Sequence, residues 1–481
     1  MSSATFPLPA RRWWILAVLS VAQLMVAVDV TVVNVALKRA QIELHFCNAN
    51  RQWLMTAYAL AFGSVLLLAG RLVDAWGRRV MLLVGLTGFA LASALGGAAN
   101  SFSTLVSARV AQGAFAAVLG TAVLATLTTT FREPLERARA FSLYGAVAAS
   151  GAATGLVLGG VLTQWATWRW CFYGSDVAAV VALLGVLLFV TGNDRHGATR
   201  PDVAGILLVS GGLVSVLYAL ASAQRTSWYA STTLISLVVG VSLLVVFVVW
   251  EARASHPVVE LDTIRNRNRG GSIVALVLTS AGVVTLTYFL ALYLHETSGS
   301  SPLRTGVELL PLVAAIVTSA TFASARLLAK VGPRPLVPAG MILAVLGMIL
   351  FTRLTLHADY LGHVMPGLVV TGLGLGLVIG PATASATNGV RRGHAGATSA
   401  VVNAAVLLGD AVGTALLTSI ARTVSSRFIA RAAGVHHEVA PAILHGYAVA
   451  FWWAAGIFGV GAVATFLLLE SGVPEYDSLA S

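Results

Sequence analysis

The chain has 481 residues, of which 57% are hydrophobic and only 10% are charged. Soluble domains carry charge on about 25% of their residues, so this composition excludes a soluble globular protein. The net charge of +11 could suggest a nucleic-acid partner, but the basic residues occur singly or in small groups between long apolar runs, where membrane proteins keep their cytoplasmic charge.

Fourteen apolar runs are long enough to cross about 30 Å of hydrocarbon as helices. They lie near residues 13–37, 52–73, 80–98, 102–127, 138–163, 170–192, 204–223, 231–251, 271–295, 304–326, 335–354, 361–386, 395–421 and 444–470. The first is too long for the apolar core of a signal peptide, and the seventh, short and rich in Gly and Ser, is the weakest. Because strands of a membrane β-barrel alternate over about ten residues, these continuous runs predict an all-α polytopic membrane protein.

The basic residues between the runs predict the orientation. Of the 30 Lys and Arg residues, 19 lie in segments on the same side as the N-terminus and 10 on the other side. Since the side richer in Lys and Arg stays in the cytoplasm, both termini are predicted to lie there. Arg far outnumbers Lys, and Ala, Gly, Val and Leu abound, which suggests a GC-rich bacterial genome. The expected location is the cell membrane of a bacterium.

Two similar segments indicate an internal repeat. Gly70–Arg79 follows the second run and residues 325–334 follow the tenth; both have Arg-Leu at their second and third positions and Gly near their end. The first contains Asp74 where the second has Ala329. Repeated halves are a common transporter design, with the substrate site between them. The predicted parts are a six-helix bundle at 1–192, two extra spanning helices at 193–265, a pseudo-symmetric six-helix bundle at 266–475 and a short tail at 476–481.

Three segments carry a family resemblance. Asp29–Leu37 in the first run, Gly70–Arg79 after the second and Leu105–Gly113 in the fourth resemble successive motifs of the major facilitator superfamily, in its fourteen-span drug:proton antiporter branch. The resemblance covers nearly the whole chain. It implies that the protein exports hydrophobic drug-like or natural-product compounds, cationic ones among them, by alternating access. The proton gradient would supply the energy, and no enzymatic activity, cofactor or metal is expected.

Charged residues within the spans are the first candidates for function, because an ionisable group inside a membrane is expensive to keep. Asp29 and Arg109 lie at similar depths, roughly 12 and 10 Å from the outer ends of their helices. The depths match, and the resemblance implies that these helices lie side by side along the cavity, so an ion pair or a water-bridged pair is geometrically possible. Our hypothesis is that Asp29 exchanges protons, while Arg109 tunes the pKa of Asp29 and competes with the proton for it. Asn34 and Gln112 of the same motifs are further candidates for proton coupling or substrate binding. A purely structural buried pair is the alternative.

The segment after the second run is the second candidate. Gly70 and Gly77 permit a tight turn, and Asp74 can cap or pair with a helix end. The resemblance implies that this loop, with Arg78 and Arg79, latches the inner gate in the outward-facing state. The alternative is a topology signal that contains a turn.

Small residues at regular spacing predict close helix packing. Gly113 ends the fourth-helix motif, and two glycine ladders recur every four residues. Gly151, Gly155 and Gly159, with Gly160, form the first ladder, and Gly372, Gly376 and Gly380, followed by Pro381, form the second. The first resembles the fifth-helix antiporter motif, and we interpret the second as its counterpart in the second half. Packing alone and a hinge role are both open for the two ladders.

The sequence departs from the family at several positions. Leu156 stands where the antiporter motif has Pro, and Val406 and Leu407 replace the Arg-Gln pair of the thirteenth span. Asp176 and Asp410 are extra acids within spans, so each is a candidate to bind a cationic substrate or a second proton. Either acid could instead be solvated at a helix end.

Cys47 and Cys171 both map to the outer side, where a disulfide could form. Two free thiols are favoured over a disulfide, since nothing in the sequence shows that the two side chains face each other.

Three functions remain open at this point. The first is proton-driven export of a hydrophobic compound, and the second is a dedicated natural-product exporter or a uniporter without proton exchange, which Leu156 leaves open. The third is a membrane sensor or enzyme on the same scaffold, although no nucleophile–base cluster, metal-ligand spacing or nucleotide-binding loop is visible. The expected partners are a small-molecule substrate, protons and the lipid bilayer; no nucleic acid is expected, and the chain is expected to act as a monomer.

Overall fold

A computed structural model describes residues 9–131, 133–191, 202–254, 257–258, 266–297, 299–356, 358–388, 394–431 and 439–470. Within these ranges the elements are helices, without strands. Fourteen of the helical segments are long and apolar enough to cross a membrane. The predicted all-α polytopic class is therefore confirmed, including the seventh span. The predicted tail at 476–481 lies outside the described residues, as do both ends of the predicted region 193–265 that contains the two extra spanning helices.

Six helices form the first bundle, two helices follow, and the remaining helices form the second bundle. The first bundle contains α1 (Pro9–Glu43), α2 (Asn48–Trp76), α3 (Arg78–Gly97), α4 (Phe102–Thr130), α5 (Pro134–Trp165) and α6 (Trp170–Phe189). The two intervening helices are α7 (Val203–Arg225) and α8 (Ser231–Glu251). The second bundle contains α9 (Arg267–Leu292), α10 (Pro302–Glu308), α11 (Leu310–Thr318), α12 (Ala325–Val331), α13 (Pro333–Phe351), α14 (Met365–Ala386), α15 (Ala395–Arg431) and α16 (Val439–Leu468).

Two spans differ from the continuous helices that the apolar runs predict. The tenth is divided into α10, α11 and α12, with π-helical residues Ser319–Ser324 before the last piece. The thirteenth, predicted to end near residue 421, continues as α15 to Arg431. Beyond residue 421, the hydroxyls of Thr423 and Ser426 donate hydrogen bonds back to carbonyls of their own helix, which satisfies polar groups past the apolar run.

We call the end of the molecule at which α1 begins the inner end, following the predicted orientation, and the opposite end the outer end. The two bundles meet along two seams. At one seam α2 and α4 pack against α15, and at the other α5 packs against α10 to α12 and α14. Helix α7 lies along the first seam: Ser210 donates a hydrogen bond to the carbonyl of Ser64 in α2 at 2.6 Å, and Arg422 of α15 donates to the carbonyl of Gln224 at 2.9 Å.

The packing corrects one part of the predicted repeat. Helix α5 packs against α1, and its counterpart in the second half is α15, which packs against α9. On α15 it is Gly409 and Gly413 that make this approach, since a Cβ added to Gly413 would lie 2.6 Å from the Cα of Ala281. The second ladder lies on α14, the counterpart of α4. Our interpretation of that ladder as the counterpart of the first was therefore wrong, because glycine spacing alone does not show which helix is the neighbour.

Candidate functional site

Asp29, Arg109 and Gln112 form one hydrogen-bonded cluster in the outer half of the first bundle. Nη1 of Arg109 lies 2.6 Å from Oδ2 of Asp29 and 3.0 Å from Oε1 of Gln112. Nε2 of Gln112 donates to the other carboxylate oxygen of Asp29 at 3.0 Å. All three side chains have 0% exposure. The similar depths in the sequence thus correspond to direct contact between α1 and α4.

Two further helices complete this cluster through residues that the sequence did not single out. Ser93 of α3 accepts a hydrogen bond from Gln112 at 2.8 Å and is itself fully buried. On α2, the carbonyl of Leu54 accepts from Nε of Arg109 at 3.4 Å, and the guanidinium carbon lies 4.4 Å from the centre of the Tyr58 ring. The only sequence signal for Ser93 is its polarity within an apolar run.

Asn34 lies outside the cluster. Its side chain is exposed, and its amide donates to the carbonyl of Val30 at 3.2 Å. Five residues separate it from Asp29, so the two side chains point about 140° apart around α1. The structure therefore brings Gln112 to the ion pair and leaves Asn34 on a different face.

The carboxylate of Asp74 joins the two bundles at the inner end. Its two oxygens accept hydrogen bonds from the backbone N–H groups of Gly396, at 2.7 Å, and Ala397, at 3.0 Å. These N–H groups belong to the first turn of α15, where a helix has unsatisfied donors and a positive dipole end. Gly70 allows the approach, since a Cβ there would lie 3.0 Å from the Cβ of Ala400.

The rest of the Gly70–Arg79 segment shapes the turn within the first bundle. Gly77 connects α2 to α3 with φ of 90°, a conformation that side chains with a Cβ rarely adopt. Arg78 is the first residue of α3, and Arg79 donates to the carbonyl of Leu187 in α6 at 3.3 Å. Gly70 and Asp74 make a contact across the seam.

A second contact across the inner end was not predicted. Buried Arg137 at the start of α5 donates through Nη2 to the carbonyl of Thr387, and to its hydroxyl at 2.8 Å. Thr387 directly follows α14 in the second bundle. The inner ends of both seams are therefore held by hydrogen bonds between the bundles.

The glycine residues of the first ladder lie against α1. On α5, a Cβ at Gly155 would lie 2.6 Å from the Cβ of Thr31 in α1, and one at Gly159 would lie 3.2 Å from the Cβ of Val35. Gly151 faces Ala27, which is also in α1. Helix α5 continues without a break past Leu156.

The second ladder and Gly113 make equally close contacts with other helices. A Cβ at Gly113 would lie 3.0 Å from the carbonyl carbon of Tyr58, so α4 and α2 touch there. The first two members of the α14 ladder face the tenth span, and the third faces Ser142 of α5 across the seam. The residues concerned are Gly372, Gly376 and Gly380, all buried, followed by Pro381 inside the helix; Gly160 on α5 is buried as well.

The two additional acids lie in different surroundings. Asp410 on α15 is partly buried, and the hydroxyl of Ser280 of α9 lies near its carboxylate. Asp410 lies seven residues after Asn403, hence only about 20° away around the helix. A Cβ added to Gly120 of α4 would lie 3.7 Å from the amide nitrogen of Asn403. Asp410 therefore lies on the side of α15 that faces the first bundle.

Asp176 is partly buried on α6, which packs against α1 and α3 at the back of the first bundle. One of its carboxylate oxygens has no hydrogen-bond partner among the described residues. Cys47 is exposed, Cys171 is buried, and both are free thiols. The structure does not bring Asp176 together with the other candidate residues.

Comparisons with known proteins agree with this architecture. The family model for the Major Facilitator Superfamily matches residues 19–414. The chain is 42% identical over 478 residues to the puromycin resistance protein pur8 of Streptomyces alboniger, covering 98% of this chain and 94% of that protein. It is 32% identical to the cephamycin export protein CmcT of Amycolatopsis lactamdurans, covering 83% of each. The solved structure of the proton:xylose symporter XylE aligns with a TM-score of 0.64 at 13% identity, covering 96% of each chain, and supports the fold alone.

Proposed function

Because the chain belongs to the major facilitator superfamily, we propose that it exports a hydrophobic, cationic small molecule from a bacterial cell in exchange for protons. The family and the relatives found are transporters, so the chain is a transport protein and not an enzyme. The relatives named for puromycin resistance and cephamycin export support export as the direction. The observation that carries the proton part of the proposal is the fully buried pair of Asp29 and Arg109.

The charge of this pair gives a physical reason for coupling. A proton arriving at Asp29 would neutralise the carboxylate and leave Arg109 as an uncompensated buried cation. Breaking a buried ion pair by removing one partner costs about 3–5 kcal/mol. A free energy of that size can shift an equilibrium between two conformations by more than a hundredfold. Protonation of Asp29 would thus favour the conformation in which Arg109 reaches another partner or water.

The contacts at the inner end support the second part of the mechanism. With Asp74 bonded to the start of α15 and Arg137 bonded to Thr387, the inner ends of the bundles are held together. Alternating access requires that these contacts break when the cavity opens to the cytoplasm. We assign the inner end to the cytoplasm, with both termini there, and we assign a single chain as the transporting unit. No cofactor or metal takes part in this mechanism.

Asp410 is our candidate for the group that binds the positive charge of the substrate. It faces the other bundle and has the neutral side chain of Ser280 as a neighbour, whereas Asp29 is already paired with a cation. A carboxylate without a protein cation nearby offers its charge to a ligand. Asp176 is the weaker candidate, because it lies at the back of the first bundle.

The proposal is tested with everted membrane vesicles that contain a pH-sensitive dye. Puromycin, named in the first relative and bearing an amino group, is the first probe. We expect puromycin to cause proton release in vesicles with the wild-type protein, and Asp29→Asn to abolish that release. Asp202→Asn is the matched control, since Asp202 is a partly buried helix-capping carboxylate outside both sites. Puromycin flux that stays unchanged when the proton gradient is collapsed would contradict antiport.

A second candidate function is export or uniport without proton exchange, favoured by the uninterrupted α5 at Leu156, where the family's antiporter motif has Pro. The same vesicles distinguish the two functions. Asp410→Asn should weaken transport of a cationic probe at least tenfold and leave a neutral probe of similar size unaffected. Equal loss for both probes would contradict the assignment of Asp410 to the substrate charge.

A further inference from the structure

Helix α2 holds Arg109 through two consecutive turns. Leu54 offers its carbonyl to Nε, and four residues later Tyr58 places its ring against the guanidinium, 4.4 Å from ring centre to Cζ. Tyr58 is 8% exposed, and its hydroxyl has no hydrogen-bond partner among the described residues. The contribution of Tyr58 to this cluster is therefore its ring face, which attracts a cation over the aromatic quadrupole.

Tyr58 is fixed in this position by its neighbours. Gly113 of α4 lies against the backbone of Tyr58, where a Cβ would come within 3.0 Å of its carbonyl carbon. Phe62, one turn further along α2, stacks on the Tyr58 ring with 6.3 Å between the centres. Because the Arg109 side chain contacts the Leu54 carbonyl and the Tyr58 ring, both on α2, a displacement of that side chain acts directly on α2.

The same helix ends at the contact between the bundles. Asp74 lies sixteen residues beyond Tyr58 on the uninterrupted helix α2, roughly 24 Å along its axis. There the Asp74 carboxylate accepts hydrogen bonds from the backbone N–H groups of Gly396 and Ala397. One rigid helix therefore contacts Arg109 near its outer end and the other bundle at its inner end.

We propose that Tyr58 is a positioning residue that holds Arg109 against Asp29, and that α2 transmits the state of this pair to the Asp74 contact. The proposal rests on the proton exchange proposed above. When Asp29 is charged, Arg109 stays between the carboxylate and the Tyr58 ring, and α2 keeps the position in which Asp74 reaches α15. When Asp29 is neutral, Arg109 shifts, α2 moves with the Tyr58 ring, and the contact at α15 loosens.

The ionisable groups around Asp29 come from three helices. Arg109 is supplied by α4, Tyr58 by α2, and the Cys171 thiol of α6 lies within electrostatic range of Asp29. From α3 comes the neutral Ser93, through Gln112. Arg109 is therefore the one cation in contact with Asp29 among the described residues, and its position decides how strongly the charged carboxylate is stabilised.

The first test is the pH dependence of transport. Tyr58→Leu and Tyr58→Met remove the ring face, and we expect the midpoint to move by about 0.5–1 pH unit towards higher pH, a three- to tenfold change in proton affinity. Tyr58→Phe keeps the ring and should match the wild type. Phe62→Leu is the control for lost packing on α2 without a contact to Arg109, and should reduce the amount of protein without moving the midpoint.

The second test measures the transmission itself. Spin labels at exposed positions near the inner end, Trp76 in the first bundle and Val331 in the second, report the separation of the bundles. Asp29→Asn should increase this separation in the otherwise wild-type protein, and the increase should be lost when Tyr58→Leu is added. An equal increase in both backgrounds, or an unshifted pH midpoint for Tyr58→Leu and Tyr58→Met, would overturn the proposal. If the protein does not exchange protons, even the wild type will show no pH midpoint. This outcome distinguishes a failure of the proposed proton exchange from a failure of the role assigned to Tyr58.

Discussion

Replacing Asp74 by Asn should destabilise the conformation in which the inner end is closed. The carboxylate accepts one N–H with each oxygen, from Gly396 and from Ala397. An amide of the same shape offers only one acceptor and turns an NH2 group towards the second N–H of α15. The substitution therefore removes one charge-assisted hydrogen bond, and it also removes the negative charge at the positive end of α15.

The size of the effect follows from these two losses. A hydrogen bond to a charged group contributes about 1.5–3 kcal/mol, and a charge at a helix terminus about 0.3–1 kcal/mol. The position is partly exposed, so we use the hydrogen bond alone and expect about 1.5–3 kcal/mol. This corresponds to a change of about 10- to 150-fold in the ratio of inner-closed to inner-open molecules.

Electron–electron distance measurements between spin labels would show this change. Labels at Trp76 and Val331 lie on opposite bundles near the inner end, and both positions are exposed. The native thiols are first replaced by Cys47→Ser and Cys171→Ala, because one of them is exposed and would be labelled. We expect Asp74→Asn to raise the population at the longer distance.

A matched carboxylate serves as the control. Asp202 caps α7 by accepting the N–H of Gly205 at 3.0 Å, so Asp202→Asn weakens a cap without touching the seam between the bundles. If the ratio of inner-closed to inner-open molecules in Asp74→Asn stays within threefold of the wild-type ratio, the reasoning is refuted. An equal shift with Asp202→Asn would refute it as well, since the effect would then not depend on the contact between the bundles.

Three further substitutions test other contacts. Arg137→Gln removes a buried charged donor from Thr387 and should also favour the inner-open distance, by about 1.5–3 kcal/mol; no change in the same spin-label measurement would exclude this contact from the gate. Gly155→Val forces a side chain into α1 and should lower thermal stability by about 1–3 kcal/mol, whereas Gly456→Val, with nothing within 4 Å of its added Cβ, should have little effect in the same melting experiment. Ser93→Ala removes the acceptor for Gln112 and should cost about 1 kcal/mol in thermal unfolding while transport of puromycin persists.

The sequence predicts well those parts of the fold that depend only on position along the chain, such as the length of a span and the depth of a residue in the membrane. A span is recognised because about 20 apolar residues are needed to cross the bilayer, whatever surrounds them. The contact between Asp29 and Arg109 was also predictable, because residue counts give depth in the membrane and the family resemblance gives the neighbouring helix. Asp74 could be assigned to a helix end from its place in the loop motif, but its partners Gly396 and Ala397 lie more than 300 residues away.

The parts that the sequence misses depend on how each helix is rotated and which helix lies beside it. Tyr58 and Arg137 look like ordinary membrane-interface or loop residues until α2 and α5 are placed. The α14 ladder has the spacing of the α5 ladder, yet Gly413 on α15 makes the equivalent approach. Uniformly apolar helices carry little rotational information, because almost any face could meet lipid or protein.

The contrast between Asp29 and Asp410 has a physical consequence for the order of events. Both carboxylate oxygens of Asp29 accept hydrogen bonds, one from Arg109 and one from Gln112. A cationic substrate would therefore have to displace a buried, hydrogen-bonded guanidinium to reach Asp29. Asp410 has the neutral Ser280 as its neighbour, and a cation binding there leaves no protein charge unpaired. If both acids took part in one cycle, the substrate would bind in the second bundle while the proton acts in the first. Competition between them would then be indirect, through the seam that Asp74 and Arg137 close, and the proton dependence of substrate binding would be lost when those contacts are removed, even with Asp29 intact.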